Sequence, residues 1–255
     1  MMLLIAMSSL QLVKQPLQTP AHKFAERVND LMPRVVHSCA RNEADRKLVF
    51  TMRYQAYRRQ NIVKDISNGM LYDGDYDESP NCYITMTYID GDFVSTFRLH
   101  WAADLSQHLP SHGVFSDLID PYLRKGYVVL DPTRLAARFE ASRKYPELPF
   151  VALRPAWLAA AHFEADVVLA TVAAEHTAFY KRVFGYEALC APRDYPRVVF
   201  PIVCLALDFP RVRDSVESRY PFFKSTQKER EALFGPSPAN VASEPPAFRL
   251  SERLL

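Results

Sequence analysis

The stretch VVLDPTRLAARF, residues 128–139, begins like a buried strand and then places an acid, a hydroxyl and an arginine within four positions. Its valines and leucine predict a strand over 127–130, with Asp131, Thr133 and Arg134 at the strand's end. Charged side chains are seldom buried unless they are paired or used chemically. We therefore expect a functional site at the end of this strand.

Strands and helices alternate on both sides of this stretch. Apolar periodicity predicts strands over 34–39, 166–172 and 197–207, and helices from Asn42, over 114–126, 147–165 and 175–185. A hairpin with strands of alternating character turns at Asp90-Gly91. Its alternation places Phe93, Ser95, Phe97, Leu99 and Trp101 on one face, and Val94, Thr96, Arg98 and His100 on the other. This order predicts an α/β (α+β) fold, with a mixed central sheet and helices on both faces.

Composition limits the class of protein. The chain has 255 residues, 49% of them hydrophobic, and a net charge of +2, so we expect a globular protein without a nucleic-acid partner. Its four cysteines form no CxxC pair, and its seven glycines form no nucleotide-binding loop, so neither a metal nor a bound cofactor is expected.

Segment boundaries follow from the same patterns. We expect an N-terminal arm over 1–33, a core over 34–208, a helical extension over 209–235 and a flexible tail over 236–255. Residues 1–13 are apolar but too short to span a bilayer, and they carry no signal-peptide pattern. The expected location is cytoplasmic, with peripheral membrane contact through residues 1–13 left open.

One helix carries an unusual residue. Val49, Arg53 and Tyr57 recur every four positions and therefore share a helix face. Arg53 thus lies on a stripe that should otherwise be buried, which predicts that it is paired there.

Four motifs occur in an order typical of one enzyme group. They are Arg53 with Tyr57, the acidic loop 73–77, Arg98-Leu99, and the segment 131–134. A fifth, EHTAFYKRVFGYE, covers 175–187. Together they resemble, over about residues 34–208, the GNAT-like N-acyl amino acid synthases and the related acyl-homoserine-lactone synthases.

The resemblance implies an acyl donor and leaves the acceptor class open. The glycine-rich turn that holds coenzyme A in usual GNAT proteins is replaced here by TRLAARF, 133–139. This implies that the donor is acyl-phosphopantetheine on acyl carrier protein, with acyl-CoA as second choice. The absence of a tryptophan near QNIVKD, 60–65, and of a glutamate before Asp73, together with Asp131 in place of glutamate, favours an N-acyl amino acid synthase. An autoinducer (homoserine-lactone) synthase and a non-catalytic acyl-ligand sensor remain alternatives.

Roles for the charged residues follow from the chemistry of acyl transfer to an amine. Asp131 is the candidate base that removes a proton from the amine, although it could instead only cap a turn or pair with Arg134. Arg98 and Arg134 are candidates to bind the acceptor's carboxylate, since a guanidinium matches it geometrically. Thr133 is expected either to orient the amine or carbonyl, or to bond local backbone.

A buried ion network is also expected. Arg53, Arg98 and Arg134 could converge on Asp75 and Asp77, either as a structural network or as part of the substrate site. Asp73 and Asp75 compete for one position of the family motif. The resemblance further implies that His176 and Tyr180 approach the thioester.

Two larger surfaces complete the expectations. A helix stripe of Phe150, Leu153, Trp157 and Ala161 could line an acyl tunnel or simply be core. A docking surface for acidic acyl carrier protein is expected at the basic side chains Arg138, Arg143, Lys144, Lys181 and Arg182.

Overall fold

A seven-stranded sheet forms the centre of the computed structural model, which describes residues 21–195, 198 and 200–236. The strands are β1 (Val35–Cys39), β2 (Cys82–Ile89), β3 (Asp92–Ala102), β4 (Val129–Ala137), β5 (Val167–Ala173), β6 (Glu187–Ala188) and β7 (Ile202–Asp208). Their order in the sheet is β1-β2-β3-β4-β5-β7-β6. The predicted mixed sheet is confirmed.

Helices lie between most of the strands along the chain. Within the described residues they are α1 (Ala21–Leu31), α2 (Glu43–Arg59), α3 (Gly74–Asp77), α4 (His112–Arg124), α5 (Phe139–Lys144), α6 (Leu148–His162), α7 (Thr177–Phe184), α8 (Phe209–Arg219) and α9 (Gln227–Phe234). Local signals explain several of their ends. Asn42 caps α2 by accepting a hydrogen bond from the Asp45 amide, and Gly185, at φ 85°, ends α7 in the left-handed conformation.

The sheet divides between β4 and β5. These two strands are parallel, whereas every other neighbouring pair is antiparallel. Only Val129 with Val167 and Leu130 with Val168 are paired, although both strands continue beyond these positions. We call this divergence the fork. Beyond these two pairs, the facing edges of β4 and β5 do not bond to each other. Such a gap between neighbouring strands is where a ligand can enter a sheet.

Both faces of the sheet are covered. Leu130 and Val168 pack in the core with α1, α6, α8 and α9, whereas their neighbours Val129 and Leu169 pack with α2 and α4. Alternation along the strands therefore supplies two separate cores, as the predicted three-layer architecture requires. The described residues of segment 1–33 and the segment 209–235 bury side chains in the first of these cores.

The hairpin differs from its predicted alternation at one end. Phe93 packs in a cluster with Val49 of α2, whereas Val94 packs with the α6 core, the reverse of the prediction. The reason is a bulge in β3, where Thr87 pairs with Ser95 but Tyr88 pairs with Phe93. One extra residue in a strand inverts the facing of everything before it. The prediction for residues 95–101 is unaffected.

Other boundaries also differ from the sequence pattern. The last long strand begins at Ile202 rather than at 197, and the short strand β6 and the helices α3 and α5 were not predicted. None of the helices within the described ranges is long and apolar enough to cross a membrane. The proposed membrane contact of residues 1–13, and the tail from residue 237 on, lie outside these ranges. The four cysteines are free thiols; Cys204 is buried, and the other three are partly exposed.

Candidate active site

The site is organised by a second bulge, in β4. Arg98 pairs with Thr133 and Thr96 with Ala136, so Arg134 and Leu135 together face the single residue between those positions on β3. Arg134 adopts φ 58°, a conformation that a non-glycine residue takes only at a cost of about 1–2 kcal/mol. The sequence placed the charged motif after the end of a strand. Instead it lies inside β4, because the bulge lets the strand continue past it.

Three arginines and two aspartates meet beside this bulge; we call them the Arg–Asp cluster. Arg53 of α2 lies 2.8 Å from Asp77, and Arg98 of β3 lies 3.2 Å from the same carboxylate oxygen. Asp73 is 3.1 Å from Arg134 and 3.5 Å from Arg98. The backbone N–H of Asp73 also donates to Asp77, at 2.9 Å. The predicted convergence of the three arginines is thus observed.

The acidic partner of this network differs from the prediction. Asp75 is exposed, and none of the three arginines contacts it within the described residues. Asp73 takes its place. The physical reason is α3, a single helical turn that begins at Gly74 and brings Asp73 and Asp77, four residues apart, to the same side of the chain. The sequence could not decide between Asp73 and Asp75 without that turn.

The cluster is buried and carries excess positive charge. Arg53, Arg98 and Asp77 have 0% exposed side chains, Arg134 has 4% and Asp73 has 15%. Burial raises the pKa of Asp77, but Arg53 and Arg98 outweigh it and hold that pKa below its usual value. Burial lowers the pKa of Arg134 to about 10, which still leaves it protonated at neutral pH. Three cations therefore face two carboxylates.

Thr133 and Tyr57 support the arginines. The Thr133 hydroxyl accepts a hydrogen bond of 3.2 Å from Nε of Arg98. The ring of Tyr57 lies 5.9 Å from the guanidinium of Arg134, within the range of a cation–π contact. Four guanidinium nitrogens nevertheless have no hydrogen-bond partner among the described residues: Nε and Nη2 of Arg53, Nη2 of Arg98 and Nε of Arg134. Buried donors of this kind are unusual, and an ordered water, an ion or a polar ligand beside them would satisfy them.

Asp131 lies on β4 just before the cluster and is fully buried. One of its carboxylate oxygens accepts from the Ser111 amide and the other from the Ser111 hydroxyl, both at 2.8 Å. That hydroxyl is also 3.5 Å from the hydroxyl of Thr171 on β5, across the fork. Of the alternatives left open, the carboxylate does bond a turn, at the start of α4. No ion pair between Asp131 and Arg134 is present in the described chain.

His100 is a site residue that the sequence analysis did not select. It is fully buried, pairs with Asp131 across β3 and β4, and its Nε2 lies 3.0 Å from the Tyr76 carbonyl oxygen. Burial, with Arg98 nearby, lowers its pKa to about 3, so the ring is neutral and Nε2 donates to that carbonyl. The signal available was its position two residues after Arg98, on the same face of an alternating strand.

His176 and Tyr180 lie apart from the Arg–Asp cluster. His176 ends a short 3-10 helix before α7, and its nearest charged partner is Glu175, at 3.6 Å. Tyr180 is buried with Leu153 and Trp157 around a cavity of about 20 Å³ between α6, α7, β5 and β7. Nothing in the described residues bonds either side chain to the cluster. Two residues of the predicted acyl stripe thus border a small cavity, whereas Phe150 packs against other aromatic rings.

The basic side chains of the expected docking surface are exposed, in two groups. Arg138 precedes α5, Arg143 and Lys144 lie in its last turn, and Lys181 and Arg182 lie on α7. A further exposed arginine, not selected from the sequence, lies beside the first group: the guanidinium of Arg59, at the end of α2, lies 3.5 Å from the centre of the Phe139 ring, with Arg143 on the same ring at 5.7 Å.

A forked mixed sheet with a buried charged site beside the fork is the architecture of a GNAT-like N-acyltransferase. Comparisons with known proteins agree. The structure of FeeM, an N-acyl amino acid synthase from uncultured soil microbes, matches with a TM-score of 0.60 and 16% identity, over 74% of this chain and 98% of that one. LasI, an AHL synthase, matches with a TM-score of 0.53 and 12% identity, over 79% and 95% of the two chains. A search of curated protein sequences gave no match.

A match to a protein-family model identifies the family of this chain. The family model described as N-acyl amino acid synthase FeeM matches residues 48–208, more than half of the chain. The chain therefore belongs to the FeeM family of N-acyl amino acid synthases. BjaI, a CoA-dependent acyl-homoserine lactone synthase, shares the fold with a TM-score of 0.53 and 12% identity, over 78% of this chain and 97% of its own.

Proposed function

We propose that this protein transfers a fatty acyl group from the thioester of acyl carrier protein to the amine of an amino acid. The amine nitrogen attacks the thioester carbonyl, the carbon–nitrogen bond forms and the carbon–sulfur bond breaks. The amine loses a proton to Asp131, and the departing thiolate takes up a proton. A thioester is reactive enough that positioning and charge stabilisation suffice, without a covalent enzyme intermediate.

The excess positive charge of the Arg–Asp cluster is the observation that carries the proposal. Three buried arginines face two aspartates, and four of their nitrogens have no partner within the described residues. A carboxylate bound beside the cluster neutralises the remaining charge, and a guanidinium is the side chain that matches its geometry. Arg134 is the proposed contact, because it and Asp73 are the members with any exposed surface. An α-amino acid supplies both this carboxylate and the amine.

Asp131 is the proposed base. Its two oxygens each accept one hydrogen bond from Ser111, and an ionised carboxylate has about four acceptor positions, so about two are free. Asp131 lies two residues before Thr133 on β4, so its side chain is on the same face of the sheet as Thr133 and the Arg–Asp cluster. In this proposal, the amine of an amino acid held at Arg134 gives its proton to Asp131, directly or through one water.

The donor is proposed to enter at the fork. Phosphopantetheine carries amide groups, and the separated edges of β4 and β5 offer backbone donors and acceptors to such a chain. The exposed cations Arg59, Arg138 and Arg143 lie on elements next to the end of β4, where an acidic carrier protein can dock. BjaI, of similar fold, is CoA-dependent, so the choice of donor needs a direct test.

The decisive experiment is a competition between acceptors and donors. The purified protein is incubated with dodecanoyl acyl carrier protein or dodecanoyl-CoA and an equimolar mixture of the twenty amino acids, and products are identified by mass spectrometry. We expect N-dodecanoyl amino acids, formed faster from the carrier protein. Acyl-homoserine lactone in extracts of an expressing host, with no acylated amino acid, would refute the acceptor class. Equal rates with both donors would refute the carrier-protein assignment.

Variants separate the two roles within the site. Asp131→Asn should abolish transfer while leaving the substrate amino acid able to bind. Arg134→Gly should weaken amino acid binding, measured as a higher KM for the acceptor. A protein whose activity survives Asp131→Asn does not use this carboxylate as its base. Circular dichroism of each variant controls for loss of fold.

A further inference from the structure

A cavity of about 500 Å³ lies at the β1 edge of the sheet, away from the fork between β4 and β5. It lies between β1, α1, α6 and α9, on the face of the sheet opposite the Arg–Asp cluster. Strands β1 and β4 are three strand spacings apart, about 14 Å. The cavity therefore has no part in the chemistry proposed above. Its volume falls within the range of about 300–1,000 Å³ that is typical of small-molecule sites.

Most of the cavity wall is apolar. The apolar lining comes from Met32, Pro33, Val35, Leu158, Ala232 and Leu233. The polar lining is formed by Asn29, His37, Arg154 and Glu229. A mainly apolar wall with a few convergent polar groups is the composition that binds molecules with an aliphatic body and one polar head.

His37 supplies an unused hydrogen-bonding atom. Its Nδ1 lies 3.1 Å from the Thr87 hydroxyl, whereas its buried Nε2 has no partner among the described residues. Thr87 pairs with Ser95 on β3, whose buried hydroxyl also has no partner there. A row of polar side chains thus runs inward from the cavity across three strands. Buried polar atoms left unpaired cost about 1–3 kcal/mol each, so a ligand that bonds Nε2 recovers part of this.

The two charged residues that line the cavity, Arg154 and Glu229, cancel each other's charge. Nη1 of Arg154 lies 2.6 Å from Glu229, and its other nitrogens donate to the carbonyl oxygens of Phe222 and Lys224. Burial, with Arg154 nearby, lowers the pKa of His37 to about 3, so its ring is neutral. A ligand carboxylate would lie near Glu229 and would find no net positive charge among the lining residues to offset its desolvation. A neutral carbonyl head costs much less to desolvate.

We propose that this cavity is a second binding site, for an uncharged amphiphile with an aliphatic chain and a carbonyl head such as a fatty amide. The head accepts a hydrogen bond from Nε2 of His37, with the Thr87 hydroxyl donating to Nδ1. The chain lies against Leu158 and Leu233. The site acts independently of the acyl-transfer reaction proposed above.

Decanamide and decanoate, titrated into the full-length protein by calorimetry, test the proposal. We expect decanamide to bind at least tenfold more tightly than decanoate, which has the same chain and a charged head. Ala232→Trp, which fills the cavity from an exposed helix position, should weaken decanamide binding at least tenfold. Ala44→Trp, at an exposed position of α2 outside the cavity, is the matched control and should bind like the parent.

A second variant tests the head group. His37→Phe keeps a ring but removes Nε2, and about 1 kcal/mol for one hydrogen bond corresponds to an affinity about fivefold weaker. Three results would overturn the proposal. They are absence of decanamide binding, tighter binding of decanoate, and decanamide binding that Ala232→Trp leaves unchanged, which would place the ligand elsewhere.

Discussion

Replacing Asp77 by asparagine tests whether the Arg–Asp cluster holds the protein together. Asp77 bonds Arg53 at 2.8 Å and Arg98 at 3.2 Å, and none of these three side chains is exposed to solvent. Asparagine has nearly the same shape but no charge. The variant would leave Asp73 as the only carboxylate facing three buried arginines.

The expected loss of stability is large. Removing one partner of a buried ion pair costs about 3–5 kcal/mol, mostly because the remaining charge stays buried without compensation. For a domain of this size, about 2–4 °C of Tm accompanies each kcal/mol, so Tm should fall by about 6–20 °C. This is a large share of a typical total stability of about 5–15 kcal/mol.

Asp75→Asn is the matched control. It makes the same chemical change two residues away, at an exposed position without contact to the arginines, and should alter stability by no more than about 0.5 kcal/mol. Thermal unfolding of both variants by circular dichroism measures the difference. If Asp77→Asn is too unstable to purify, adding Arg53→Met removes one uncompensated cation and should recover part of the loss, because neighbouring changes couple by about 0.5–3 kcal/mol.

The prediction is wrong if Asp77→Asn and Asp75→Asn have the same Tm. Equal losses would mean that Asp75 takes part in the network, as the sequence first indicated. A negligible loss for both would mean that the buried charges are compensated by something other than these aspartates.

Three other outcomes are expected. His100→Gln should reduce the loss of stability at acid pH. The ring has a folded-state pKa of about 3 and an unfolded value of 6.5, so it destabilises the folded protein as pH falls below 6.5, by about 2 kcal/mol at pH 5. In urea unfolding, the parent should therefore lose about 2 kcal/mol more stability than the variant between about pH 7.5 and 5. Ser111→Ala removes a hydrogen bond of about 1.5–3 kcal/mol to the Asp131 carboxylate, so kcat should fall about tenfold or more while the acceptor's KM changes little; unchanged kcat would show that Ser111 does not position the base. Arg134→Gly should unfold at a higher urea concentration than Arg134→Ala, by about 1 kcal/mol, since glycine accepts φ 58° without strain, and the reverse order would contradict the strained bulge.

The sequence predicted the fold well where side-chain periodicity is regular. The strand and helix order and the buried face of α2 with Arg53 follow from spacing, whereas the joint position of Arg98 and Arg134 was expected only once their motifs had been matched to a known enzyme group. Periodicity fails where a strand gains a residue. The bulges near Val94 and at Arg134 leave no mark in composition, because each depends on pairing with a strand that is distant in sequence.

The details of the site depend on contacts that spacing cannot supply. Asp73 replaces Asp75 because of one helical turn, and Ser111, twenty residues before Asp131, meets it only because the chain folds back at the start of α4. Arg59 joins the basic side chains through Phe139, the last residue of the stretch 128–139. In each case the partner is close in space and unremarkable in sequence.

The two residue pairs that join β4 to β5 have a consequence for how the fork keeps its width. So few backbone bonds cannot fix the separation of the strands beyond them; the apolar side chains of α6, which touch both halves of the sheet, must do so. A change of volume at a residue such as Trp157 would then widen or narrow the gap between the two strands without altering a single polar group. Selectivity for acyl groups of different bulk can therefore evolve in the interior, while the charged residues stay as they are.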